Sequence, residues 1–220
     1  MNLLLFIAAS LLPFSALAAI DIQPHVLEMR QKNAVVNVIN HSSMTEYVTV
    51  QLYQINNPGV SPEQESLTSV GEQPRPSLFA VPAKLTLGPK QSGRILLKAL
   101  QPPEKEQIYR LSVVPEKNLG ISGGHGAVLG VQLSYMGLIR HLPTSPQYQW
   151  KHRCIEGALE LQNTGNTRLR WHQLKTKEQD IADFNLYPEQ RRQLAVNDVQ
   201  GMIEDETFSL RCNADPKTVD

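Results

Sequence analysis

The chain has 220 residues, and its 21 Lys and Arg are matched by 21 Asp and Glu. A balanced charge without a basic run excludes strong nucleic-acid binding, which needs a basic stripe. Beyond the N-terminal segment, no stretch is apolar for long enough to cross a bilayer, so membrane insertion is not expected.

The first eighteen residues, MNLLLFIAASLLPFSALA, are apolar and end in Ala16-Leu17-Ala18, a small-x-small cleavage pattern. The run is too short for a membrane span, and Pro13 interrupts it. Residues 1–18 are therefore expected to be a signal peptide, although no Lys or Arg precedes the apolar run. The exported chain then starts at Ala19 and keeps about 200 residues, enough for one large or two small domains.

Short runs rich in Val, Ile, Leu, Tyr and Thr follow, separated by turn residues, and long helical periodicity is absent. NAVVNVINHS (33–42) and TEYVTVQLYQI (45–55) read as strands, the second placing Val48, Val50, Leu52 and Ile55 largely on one side. Asn56-Asn57-Pro58-Gly59 is a turn signal, and a polar loop is expected from Ser61 to Ser77. Residues 77–100 read as two strands across Gly88-Pro89, and EQIYRLSVVPEK (106–117) as another. Strands at this spacing predict an antiparallel sandwich. Residues 19–142 suit one seven-stranded domain.

HLPTSPQYQ (141–149) reads as a stiff linker. Beyond it, YQWKHRCI, GALELQNTGNTRLRWHQLKT, FNLYPEQRRQLAV and DETFSLRC supply further strands. Asn163-Thr164-Gly165-Asn166 reads as a hairpin turn. In an exported chain, the two cysteines, Cys154 and Cys212, are most simply one disulfide. It would close a loop of nearly sixty residues, worth at most about 4 kcal/mol. A second domain of about 75 residues has a small core and gains from such a staple.

GHGAVLGVQLSYMGLIRHLP (124–143) alternates for longer than the thickness of an ordinary sandwich requires. Leu129, Val131, Leu133 and Tyr135 share one face; Met136, Leu138 and Arg140 share the other. A projecting apolar edge is an aggregation hazard unless it pairs with a partner. In strand addition, backbone hydrogen bonds give affinity and alternate side chains fill pockets. Each buried aliphatic side chain then contributes roughly 1.5–3 kcal/mol before ordering costs. Arg140 sits among apolar neighbours. Either its forked donors meet a carboxylate, or its stem lies along apolar side chains with its head in water.

Several stretches together resemble the periplasmic chaperones of the chaperone–usher pilus pathway, and more closely the alternate branch serving class 5 type fimbriae. They are INNPG (55–59), LFAVPAKLTLGPKQSGRILL (78–97), EQIYRLSVVP (106–115), SYMGLIRHLP (134–143), NTGNTR (163–168) and LYPEQ (186–190). The resemblance implies an all-β chain of two immunoglobulin-like sandwiches set at an angle with a cleft between them, here 19–142 and 143–220. It implies a periplasmic location and, as partners, fimbrial (pilin) subunits and an outer-membrane usher. It also implies donor-strand complementation by a G strand around residues 127–140, with Leu129, Val131 and Leu133 as donor residues. Arg140 is then the anchor for the subunit's terminal carboxylate, and Arg94 a structural arginine that helps orient the two domains. The family often has a second cleft cation in its first strand. Here IQPHVLEM (22–29) offers only His25, with Arg30 further along.

No cofactor or metal is expected, since neither a CxxC nor an HxxxH spacing occurs. An enzyme is not expected either: Ser122-Gly123-Gly124-His125-Gly126 is Gly-rich but lacks the phosphate-loop lysine. The competing expectation is a secreted immunoglobulin-like pilus subunit or adhesin. That would need a free N-terminal donor extension, and Pro24 interrupts the short mature start.

Overall fold

The computed structural model describes residues 19–116 and 135–212, and the strands within them form two β-sandwiches. In the first sandwich, one sheet runs in the order β1 (Ile20–Gln23), β3 (Asn33–Asn40), β8 (Ser92–Ala99) and β6 (Leu78–Val81). The facing sheet runs β2 (Val26–Met29), β10 (Tyr135–His141), β9 (Gln107–Pro115), β4 (Glu46–Ile55) and β5 (Leu67–Ser69), and β7 (Lys84–Leu87) also pairs with β4. Alternation decides which side chains meet between the sheets. Ile20, Val36, Leu78, Ile95 and Leu97 come from one sheet, and Met29, Val48, Val50, Leu111 and Ile139 from the other.

Two prolines redirect the chain from sheet to sheet. Pro24 separates β1, which pairs with β3, from β2, which runs parallel to β10. Pro82 separates β6, paired with β8, from β7, paired with β4. Proline has no N–H to give a ladder, so each ladder stops there and the strand beyond joins the facing sheet. The single strand expected between Ser77 and Gly88 is therefore two. Among the described residues the expected seven strands become ten segments: both prolines split one, and β5 forms inside the stretch expected to be a loop. Two 3-10 turns, Pro62–Gln64 and Val70–Glu72, occupy that same stretch.

In the second sandwich, β11 (Trp150–Ile155), β12 (Ala158–Asn163) and β16 (Arg191–Leu194) form one sheet. The other holds β14 (Asp180–Ile181), β13 (Leu169–Lys175), β17 (Asp198–Ile203) and β18 (Glu206–Arg211), with β15 (Phe184–Leu186) also on β13. Leu159, Leu161, Trp171, Leu174, Val199 and Ile203 fill its core. Cys154 and Cys212 are bonded, with Cα atoms 5.7 Å apart.

The second sandwich departs from expectation at two places. β17 does not stand out in the sequence because Gln200 and Gly201 break its alternation. Gly201 is needed all the same, since a Cβ there would lie 2.7 Å from Leu174 Cδ2 and 3.0 Å from the His172 carbonyl. Asn163-Thr164-Gly165-Asn166 is not a hairpin turn: β12 and β13 belong to different sheets. The loop instead holds the linker. Asn163 Nδ2 donates to the carbonyls of Thr167 and Leu186, both at 2.8 Å. Asn166 Oδ1 accepts from Gln147 N at 2.7 Å. The linker crosses so close to Gly165 that a Cβ would sit 2.1 Å from the Gln147 carbonyl oxygen, which no other residue allows.

Candidate functional site at the junction of the two sandwiches

The end of β10 faces two ways. Ile139 is buried in the first core, while Leu138 and Arg140 point to the opposite face of the sheet. On that face Leu138 packs with Ile55, Ile108 and Tyr187. Tyr187 follows β15, so this small apolar cluster joins the sandwiches.

Arg140 lies beside it, 4% exposed. A guanidinium at that depth must have its charge answered, and two carboxylates answer it. Its Nε donates to Glu106 Oε1 at 2.6 Å, and its Nη1 donates to Glu28 Oε1. Glu28 stands opposite Arg140 in the β2–β10 pairing. Burial alone would lower the arginine's pKa; the Glu106 hydrogen bond and the two nearby carboxylates outweigh it and leave it raised.

Glu106 is the more deeply held partner, its side chain fully buried. Its second oxygen accepts from Arg168 N at 2.5 Å, and its own N–H donates to the Asn166 carbonyl at 2.8 Å. One carboxylate therefore ties the end of β10 to the loop between β12 and β13. Two weaker contacts also cross the junction: Lys105 Nζ to Glu189 Oε1 at 2.5 Å, and Gln190 Nε2 to the Pro58 carbonyl at 2.8 Å.

The junction is rich in cations. Burial, followed by the Glu106 charge, pushes the Tyr187 hydroxyl pKa up, while Arg168, Arg140 and Arg110 pull against that rise. Arg110 is engaged bidentately by Glu65, at 2.8 and 2.6 Å, the geometry that suits guanidinium and carboxylate. Arg168 Nε is buried without a hydrogen-bond partner among the described residues, and its nearest carboxylate, Glu204, is 3.9 Å from Nη2.

The residues singled out from sequence fall in different places. Arg140 is at the junction. Arg94 is exposed on β8 opposite Asn37, and its side chain has no hydrogen bond or ion pair among the described residues. Leu129, Val131 and Leu133 lie outside the described residues. His25 is exposed, 3.7 Å from Asp21, and Arg30 lies 3.3 Å from Glu28. The position facing Arg140 thus holds a carboxylate and not a second cation. Glu28, Glu106, Arg168 and Tyr187 were not singled out, because an acid beside a strand looks the same in sequence whether it faces water or a buried arginine. Among the described residues, no cluster of His, Cys, Asp or Glu is arranged to hold a metal, and no helix is long and apolar enough to cross a membrane.

The architecture is matched by known proteins. No family model matches the chain. A curated relative, a CS1 fimbrial subunit of Escherichia coli, is 29% identical over 172 residues, covering 75% of this chain and 71% of the relative. Among solved structures, the class 5 fimbriae chaperone CfaA superposes with a TM-score of 0.66 at 19% identity, covering 89% of this chain and 99% of its own. A chain from a chaperone–tip adhesin complex of CFA/I fimbriae biogenesis gives 0.68, also at 19% identity and with the same coverage. The Escherichia coli chaperone DraB gives 0.58 at 14% identity, covering 88% of this chain and 96% of its own. This likeness is one of fold, and at that level it bears out the resemblance seen in the sequence motifs.

Proposed function

We propose that the chain is a non-catalytic periplasmic chaperone of the alternate chaperone–usher branch, with domains 19–142 and 143–220. It captures fimbrial subunits by donor-strand complementation through residues 127–140 and passes them to an outer-membrane usher. Leu129, Val131 and Leu133 are the donor residues, and Arg140 receives the subunit's terminal carboxylate. The observation that carries this reading is the two-sandwich fold, which fimbrial chaperones share along nearly nine-tenths of the chain. Arg140 fits the anchoring role chemically: it is a buried guanidinium, and carboxylates are what it already binds. The side from which a ligand reaches it is that of Glu28, whose side chain is 42% exposed, since Glu106 is closed to solvent.

The name of the Escherichia coli relative favours a second reading, a fimbrial subunit. Against it, residues 20–29 are already paired within their own sandwich: Ile20 and Ile22 are buried in its core, and β2 lies on β10. They are not a free donor strand. A chaperone is absent from purified filaments, whereas a subunit is present in them.

The test is periplasmic co-expression with the neighbouring pilin gene. Arg140→Ala is expected to lose more than nine-tenths of the co-purified subunit while the chaperone stays folded by circular dichroism. Undiminished recovery with a folded variant would remove Arg140 as the anchor.

A further inference from the structure

The carboxylate on the open side of Arg140 belongs to the chain itself. Glu28 projects from the edge strand β2 directly opposite Arg140 and takes one of its terminal nitrogens. Unlike Glu106, Glu28 is partly exposed, and only Glu106 is also tied to the second sandwich. Glu28 has another partner at hand: its Oε2 lies 3.3 Å from Arg30 Nη2, and that guanidinium is 57% exposed. A carboxylate divided between two cations gives up one of them at modest cost when a competing carboxylate arrives.

We infer that Glu28 is an internal competitor for the Arg140 carboxylate site. It occupies the open side of the guanidinium in the unoccupied protein and swings onto Arg30 when a ligand's terminal carboxylate takes its place. Glu106 stays, orienting the guanidinium fork throughout. Glu28 thereby sets the threshold of the site, because only a ligand whose apolar strand adds to the affinity displaces it, and a small free acid does not. This inference rests on the anchoring role proposed for Arg140.

A synthetic peptide, Lys-Lys-Thr-Val-Thr-Val-Thr-Val, made with a free C-terminal carboxylate and as the C-terminal amide, tests it by calorimetric titration of the full-length protein. The wild type is expected to favour the acid over the amide. Glu28→Gln is expected to bind the acid about fivefold more tightly, the size of a partly exposed ion pair, with the amide unchanged. Glu28→Ala is a second variant in case glutamine still occupies the guanidinium, and thermal melting checks the folding of both. If the wild type and both folded variants favour the acid equally, or the variants bind it more weakly, Glu28 is not a competitor but Arg140 stands as the anchor. If no protein distinguishes acid from amide and Arg140→Ala changes nothing, or if none binds either peptide, the anchoring role itself falls.

Discussion

The two sandwiches secure their edge strands by different means. In the first, the edge strand β2 lies on β10 and is fastened across the pair by Glu28 and Arg140; the core behind it is almost wholly aliphatic and draws on both sheets. In the second, the edge strand β11 buries little, and β18, at the edge of the other sheet, is also mostly exposed or half-buried. Cys154 and Cys212 join these two edges covalently. Behind them, the rings of Trp150, Phe184 and Phe208 cluster on Trp171, at centroid distances of 5.1, 5.8 and 5.0 Å. A small domain has little apolar surface to bury, so the second sandwich depends on a covalent staple and a few large rings. The first has enough core to leave an edge to an ion pair, and an ion pair is reversible. On the binding role proposed for Arg140, an edge fastened by an ion pair can be released where one fastened by a disulfide cannot.

Removing the staple is the strongest way to break this comparison. Cys154→Ala with Cys212→Ala is expected to cost the second sandwich about 4 kcal/mol, the loop-closure value for a separation of 58 residues. Scanning calorimetry then shows an early transition for the second sandwich and a later one for the first. A single transition at the wild-type temperature would mean that the aromatic core suffices without the bond.

The next effect lies in the junction. Glu106→Gln keeps the size of the side chain but leaves Arg140 facing only the exposed Glu28, and breaking a buried pair costs roughly 3 kcal/mol or more. The same change weakens the acceptor for Arg168 N, so the linker between β10 and β11 is expected to be cut faster in limited proteolysis. If Glu106→Gln melts like the wild type and is cut no faster, the carboxylate does not couple the two sandwiches.

The sequence shows the parts of this arrangement that repeat or stand out locally. The period-2 pattern of β4 shows because Val48, Val50 and Leu52 fill one face in turn. The cysteine pair shows by its isolation, and Arg140 by its charge among apolar neighbours. What sequence does not carry is where a strand goes after a proline, and so Pro24 and Pro82 are legible as interruptions but not as crossings between sheets. Asn163-Thr164-Gly165-Asn166 has hairpin composition, yet its glycine serves the close passage of the linker. The partners of Arg140 lie 112 and 34 residues away in sequence, and only the pairing of β2, β9 and β10 brings them together. Arg94 shows the converse: a motif match drew attention to a side chain that the fold leaves in solvent.

The smallest expected effect sharpens the contrast between buried charge that is answered and buried charge that is not. His141 follows Arg140 and is at least as deeply buried, at 2% exposure, but among the described residues no carboxylate meets it and its Nδ1 has no hydrogen-bond partner. Burial disfavours its charged form and lowers its pKa below the usual 6.5. The unfolded chain therefore takes up the proton first. The stability linked to this group is complete above pH 6.5 and is lost as the pH falls from there through the folded-state value. Urea unfolding at pH 7.5 and 5.5 is expected to show a lower midpoint at the acid value in the wild type. His141→Leu is expected to narrow that gap, because leucine has no proton to gain. An equal gap in the two proteins would show that His141 is not the source of the acid sensitivity.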